Sequence, residues 1–169
     1  MTQKIEGEVI FGIHPIIELL KAKKRKLYTV YTTKPEPKAW KEVASLLPKT
    51  VTIKYVEKNY LNNLAGTLEH QSVVGLAGPF QIRKSFFDVN KHPFLVMVDS
   101  IQDTRNLGAI LRSAYCTGAD GIIICQRKGA PINGSTIKAS AGLAERLEIY
   151  QASSPAQAIT ELKKAGYGI

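Results

Sequence analysis

Asn106, Gly108 and Arg112, in the segment Asn106-Leu-Gly-Ala-Ile-Leu-Arg112, have the types and the spacing to hold an anion. In a helix, Gly108 and Arg112 are neighbours on one flank, because residues four apart share a face. The glycine leaves space for the arginine to lie back along the helix, or for a ligand to approach the backbone. Glycine costs a helix about 1 kcal/mol relative to alanine, so its presence asks for such a reason. An arginine beside the positive end of a helix is a natural grip for a phosphate or a carboxylate. Asn106 suits an N-cap, and capping alone would account for it. The plain alternative for Arg112 is a surface arginine near a helix start.

Two apolar, strand-like runs must position this segment, Phe94–Val98 before it and Gly121–Cys125 after it. Together they read as strand, helix, strand. The turn entering the helix carries Asp99, Asp103, Arg105 and Asn106, an unusually polar set between buried elements. In open α/β sheets ligands bind beyond the carboxyl ends of the strands, where such turns lie. Leu107, Ile110, Leu111, Ala114 and Tyr115 are spaced to form the buried stripe of the helix. A basic loop from Gln126 to Asn133 follows, then a helix over Gly134–Gly142 whose small residues permit close packing against another backbone. Leu147–Tyr150 reads as a strand. Ser154 and Pro155 start a helix with Ala158, Ile159, Leu162 and Ala165 on its apolar face. Tyr167 opens a further strand at the end of the chain.

The first half alternates helix and strand, as a small α/β domain does. Pro15 opens a helix with Ile16, Ile17, Leu19 and Leu20 on one face. The run Lys21, Lys23, Lys24, Arg25, Lys26 ends it, and is read both as charge favoured at a helix C-terminus and as a nucleic-acid phosphate contact. Leu27–Thr32 and Val51–Val56 read as strands, Ala39–Leu47 and Lys58–Leu64 as helices, and His70–Ala77 as a strand entered through a polar pair. Gly78-Pro79 punctuates the chain. The expected organisation is a domain over residues 1–79, a linker over 80–92 and a second domain over 93–169.

The chain has 169 residues, with 23 basic and 14 acidic side chains, for a net charge of +9. That surplus favours polyanions through phosphate neutralisation and counterion release. No apolar run approaches membrane-spanning length, and the N-terminus lacks the apolar core of a targeting signal, so a cytoplasmic location without membrane contact is expected. Cys116 and Cys125 form no C-x-x-C or Cys/His cluster, so no metal or redox role is expected. The absence of G-x-G-x-x-G and of G-x-x-x-x-G-K-[ST] leaves a dinucleotide fold or a P-loop NTPase without support.

Asn106-Leu-Gly-Ala-Ile-Leu-Arg112 resembles the N-x-G-x-x-x-R first motif of the SpoU (TrmH-like) family of RNA ribose 2′-O-methyltransferases, within the SPOUT superfamily. Phe94–Ser100 is similar to that family's first catalytic strand, and Lys138-Ala-Ser-Ala-Gly-Leu-Ala-Glu145 to its K-x-S-x-G-A-x-E segment. Gly12-Ile-His-Pro and His70-Gln-Ser-Val-Val resemble landmarks of the N-terminal substrate domain in the ribosomal-RNA branch. These landmarks span nearly the whole chain, and several in order are far more specific than one.

The resemblance implies a ribosomal-protein-like RNA-binding domain, then a parallel-sheet domain that binds S-adenosylmethionine, is closed by a deep trefoil knot and forms a homodimer. It implies a catalytic role for Arg112, an active-site role for Asn106 and a second-line role for Glu145. Because guanidinium is always protonated, the physical role of Arg112 is to position a phosphate beside the reacting 2′-OH. Methyl transfer is an in-line displacement, for which positioning supplies much of the rate. RNA contacts are expected at Lys23, Lys24, Arg25, Lys26 and Arg105, and ribosomal RNA is the expected substrate. The family's glycine-rich cofactor loop, its S-L-N segment and its knot region have no counterpart in the sequence. The expected fold is therefore α/β with an incomplete second domain, unassigned cofactor-binding residues, and a chain that is truncated or inactive alone. The alternatives are a non-enzymatic RNA-binding protein derived from such an enzyme, and an α/β protein whose charge is incidental.

Overall fold

Residues 7–125 and 129–169 are described in a computed structural model, and their strands sort into two sheets of different character. The first is mixed, in the order β1-β4-β2-β3, with β1 at Glu8–Phe11, β2 at Leu27–Thr32, β3 at Thr52–Tyr55 and β4 at Val73–Ala77. β4 runs antiparallel to both of its neighbours, and β2 runs parallel to β3. The second sheet, β5-β6-β7, is entirely parallel, with β5 at Leu95–Val98, β6 at Gly121–Cys125 and β7 at Ile149–Ala152. Residues 126–128 of the expected basic loop lie outside the described residues.

Around the first sheet stand α1 (Ile13–Ala22), α2 (Trp40–Leu46) and α3 (Lys58–Ala65). α1 buries Ile13, Ile16, Ile17 and Leu19, and stops where Lys23 adopts a left-handed conformation at φ 56°. β1 has no counterpart among the sequence expectations. It is four residues long and is held by pairing with the distant β4, which leaves no local signature. His70, Gln71 and Ser72 are not strand: Gln71 and Ser72 have φ of 53° and 58°, and β4 starts at Val73.

β6 is buried along its whole length, as a central parallel strand covered on both faces must be. Ile122 and Ile124 join the core shared with α4, and Ile123 packs under α6 (Pro155–Lys164). Residues 80–92 are more than a spacer. They form a strap across the second sheet, in which Phe87 is buried against Ile123 and the Arg83 backbone N–H donates to Ile149 O at 2.8 Å.

α4 (Thr104–Cys116) is capped by Asp103, whose Oδ1 accepts the Asn106 backbone N–H at 2.8 Å. Asn106 is therefore inside the first turn, and the capping role expected of it belongs to Asp103. Leu107, Leu111 and Ala114 are buried as expected, whereas Tyr115 lies at the surface. α5 (Gly134–Ala139) is shorter than expected and gives way to a 3-10 turn at Leu143–Arg146.

Gly108 is accounted for by α5. A Cβ there would lie 2.5 Å from Ala139 Cβ and 2.6 Å from the Thr136 carbonyl oxygen. The glycine lets two helices touch, and leaves no space on that side for a ligand. Gly108→Ala is expected to destabilise the fold by about 1–3 kcal/mol through overpacking, although alanine is the better helix former. A urea melt checks it: an unchanged or raised midpoint would mean that the helices separate at no cost.

Candidate nucleic-acid interface

The first turn of α4 sits just past the carboxyl end of β5, joined to it by the turn 99–103. Arg105, Asn106, Ala109, Arg112, Ser113 and Cys116 are all exposed, so α4 shows a continuous outer face. Arg105 and Arg112 are seven positions apart and share one stripe, about 10 Å along the axis, while Asn106 stands roughly a third of a turn away. Arg112 has no ion-pair partner among the described residues. Arg105 lies near Glu69, at 3.6 Å. The structure thus brings Arg105, Asn106 and Arg112 to one surface and turns Gly108 inward.

Glu145 is elsewhere. It is 2 % exposed, and both carboxylate oxygens accept from Arg25: Nη2 at 2.5 Å and Nε at 3.2 Å. Arg25 Nη1 also donates to Glu8 Oε2 at 2.7 Å and to the Gly78 carbonyl at 2.8 Å. Arg25 is itself buried, so the expectation of an RNA contact at Arg25 is corrected: its guanidinium makes four hydrogen bonds within the protein. Lys24 donates to the Leu147 carbonyl at 2.8 Å and to Glu148 Oε1 at 2.6 Å. Lys23 and Lys26 remain exposed.

Lys24 and Arg25 belong to a seam between the two halves. Arg146 pairs with Glu18, and the Lys138 ammonium donates to Gln71 Oε1 at 2.6 Å. A Cβ on Gly142 would lie 2.8 Å from the His14 carbonyl oxygen and 2.9 Å from Pro15 Cα. The segment Lys138–Glu145 therefore meets Gly12-Ile-His-Pro, Arg25 and Gln71, residue against residue. Sequence reasoning singled out these stretches separately. It missed that they face one another, because nothing local marks a pairing across more than a hundred residues.

His70 anchors the Gln71 end of the seam. It is fully buried; Nδ1 accepts the Ser72 N–H at 2.9 Å, and Nε2 lies 2.7 Å from Asn62 Oδ1. With Nδ1 an acceptor, the ring is neutral and Nε2 is the donor. Burial, with Lys58 and Lys138 adding to it, holds the His70 pKa below its ordinary value. Burial also lowers the Lys138 pKa, and Glu69 opposes the shift. Burial pushes the Glu145 carboxyl up, while its bonds to Arg25 pull it back.

Two cavities lie beside the expected RNA-contact residues. One of about 680 Å³ lies beside the end of α1, among Lys23, Lys26, Tyr28 and Pro48. The other, about 580 Å³, opens between residues 66–69, the start of α4 and α5. The turn after β5 is open: Asp99, Ser100, Gln102 and Asp103 are exposed.

Two variants test this geometry. Arg25→Met leaves Glu145 buried and unpaired and should cost about 3–5 kcal/mol in a urea melt, with much of the loss recovered in Arg25→Met/Glu145→Leu. A loss in the double variant equal to the sum of the Arg25→Met and Glu145→Leu losses would deny the coupling. For His70, a depressed native pKa means the unfolded chain binds more protons below its ordinary 6.5. Stability should be fully present above that pH and fall as acid drives it toward the native pKa. Thermal melts across this window should show the slope in the wild type and a flatter one in His70→Gln.

Comparison with known proteins agrees with these landmarks. Residues 93–169 match the SpoU rRNA Methylase family, and residues 9–83 match RNA 2′-O ribose methyltransferase substrate binding. YacO of Bacillus subtilis, described as a TrmH family tRNA/rRNA methyltransferase, is 30% identical over 169 residues, spanning 95% of this chain and 67% of that protein. The mitochondrial rRNA methyltransferase 1 of Schizosaccharomyces pombe is 27% identical, over 90% of this chain and 60% of that one. A crystal structure of an RNA 2′-O ribose methyltransferase superposes with a TM-score of 0.75 at 21% identity, over 93% of this chain and 59% of that one. An AdoMet-bound rRNA methyltransferase from Sinorhizobium meliloti superposes with a TM-score of 0.68 at 22% identity, over 94% of this chain and 58% of that one. The chain spans 44% to 67% of the length of such curated relatives. On the shared motifs, their order and this identity across both halves, the chain belongs to the SpoU family of RNA methyltransferases.

Proposed function

We propose that the protein takes part in S-adenosylmethionine-dependent methylation of ribose 2′-hydroxyls in ribosomal RNA. Residues 1–79 are the substrate-binding domain in this reading, and 93–169 belong to the methyl-transfer domain. The observation that carries it is the outer face of α4. Arg105, Asn106 and Arg112 stand exposed past the carboxyl edge of a parallel sheet, and Arg112 has no ion-pair partner among the described residues. A permanently protonated guanidinium there can hold the phosphate next to the target ribose and fix its 2′-oxygen for in-line attack. Lys23 and Lys26, exposed at the end of α1, add sequence-independent phosphate contacts.

The donor in this reading is S-adenosylmethionine, which AdoMet-bound relatives support. The roles assigned here are those of residues that would face the RNA. Homodimer assembly is also part of the proposal. β5 is an edge strand with half-exposed Leu95, Val96 and Met97, and an apolar edge of that kind favours being covered. No helix among the described residues is long and apolar enough to cross a membrane, and the proposed site of action is the cytoplasm. The second reading is an RNA-binding protein without methyl transfer, which the exposed Lys23, Lys26 and Arg112 would serve equally.

Transfer of a labelled methyl group from S-adenosylmethionine to ribosomal RNA decides between them. In the methyltransferase reading, Arg112→Ala lowers turnover by at least about 100-fold, the scale of losing a preorganised electrostatic contact, while RNA binding weakens only modestly. Undiminished turnover in that variant would remove Arg112 from the mechanism. Binding of RNA by the wild type without any transfer would establish the second reading.

A further inference from the structure

The cavity between the two halves is lined by groups from three separate elements. Residues 66–69, following α3, supply Thr67 and Glu69; α4 supplies Arg105; α5 supplies Ser135 and Lys138. At about 580 Å³ it is large enough for a segment of nucleotide backbone. We propose that this cleft is a phosphodiester subsite, in which Lys138 and Arg105 take the RNA backbone on one side of the target ribose and Glu69 is the counter-ion that the phosphate displaces. This rests on the reading of the protein as an RNA-acting enzyme, and adds where the strand lies and what holds it.

Lys138 carries the argument. Its ammonium is held at 2.6 Å by Gln71 Oε1, a neutral acceptor, and it forms no ion pair among the described residues. A half-buried cation fixed by an amide has its direction set, and Glu69 in the same cleft is the carboxylate whose field it feels. Low local dielectric then strengthens its attraction for an entering anion. Burial lowers its pKa, the mark of a partly desolvated ammonium. Arg105 is different in kind. Its contact with Glu69 spans 3.6 Å between side chains 78% and 61% exposed, and so exposed a pair contributes little. A phosphate offers Arg105 two parallel hydrogen bonds in place of that loose contact. The Ser135 and Thr67 hydroxyls supply further donors. Because Arg105 and Arg112 share one stripe of α4, the cleft opens directly onto the face that holds the reacting ribose.

The simpler account makes Lys138 only a strut of the seam, and the test separates the two. Lys138→Gln keeps a side-chain donor for Gln71 while removing the charge. Binding of a labelled single-stranded oligoribonucleotide, followed by fluorescence anisotropy over a range of salt concentrations, is the readout. Lys138→Gln and Arg105→Gln should each weaken binding by about 3–10-fold and reduce the slope of log affinity against log salt by about 0.7. Lys138→Arg should restore the slope. Glu69→Gln should tighten binding about 3-fold at low salt, a gain that damage to the fold cannot produce. Unchanged slopes in both glutamine variants, or looser binding in Glu69→Gln, would overturn the subsite. Loss of turnover in Arg112→Ala beside such unchanged slopes would leave the enzymatic reading standing without it. A wild type that binds no RNA at low salt would end both.

Discussion

The buried contact between Arg25 and Glu145 is the constraint on which the arrangement of the molecule depends. Taking both charges out of water is costly, and their attraction compensates only when the remaining hydrogen-bonding positions are also filled. Here four such bonds form: the guanidinium uses Nε, Nη1 and Nη2, on Glu145, Glu8 and the Gly78 carbonyl. Such a contact tolerates little displacement, so it sets how α1 lies against the 3-10 turn. That placement brings Gly142 onto the first turn of α1 and Lys138 beside Gln71. The cleft beside α4 exists because those contacts hold its walls apart at one distance.

The same seam explains why charge composition is an incomplete guide to partners. The basic run at the end of α1 reads both as charge favoured at a helix C-terminus and as an RNA contact, yet the four residues expected to touch RNA divide by direction. Lys24 and Arg25 point into the protein and are engaged by acceptors of the second half, while Lys23 and Lys26 remain at the surface. Arg146 is likewise committed to Glu18. The basic groups left for a polyanion are those that no internal carboxylate has claimed. Lys23 and Lys26 at the end of α1 and Arg112 on the face of α4 are among them, as are Lys41 on α2 and Lys163 and Lys164 on α6.

Local pattern made much of this legible. The strand–helix–strand unit around Arg112 follows from two apolar runs and a 3.6-residue stripe, and the buried parallel strand Gly121–Cys125 from an unbroken apolar run. The spacing placed Arg112 one turn after Gly108 on a flank of that helix, and Arg112 is exposed there. What stayed hidden depends on distant partners. β1 is strand because β4 lies beside it. Gly108 is glycine because α5 crosses there, and Glu145 is a carboxylate because Arg25 comes back to it. The exchange of Asn106 for Asp103 at the cap has another cause. Both residues cap well, and only the path of the turn after β5 decides which of them sits just outside the first turn.

The strap over residues 80–92 has a bearing on how the two halves can be recombined. Phe87 is part of the second core, and Arg83 reaches Glu148 at 3.2 Å, the same carboxylate that receives Lys24 from the first half. The start of the strap is tied the other way, because the Phe80 N–H donates to Glu8 Oε2 at 3.1 Å. The strap thus belongs to both halves. An exchanged first half would have to rebuild the core that Ile10 and Ile16 share with Leu107 and Ile122. It would also need its own arginine and lysine at the end of its first helix to close on Glu145 and Glu148. Compatibility between the halves is thus written in that shared core and in two carboxylates.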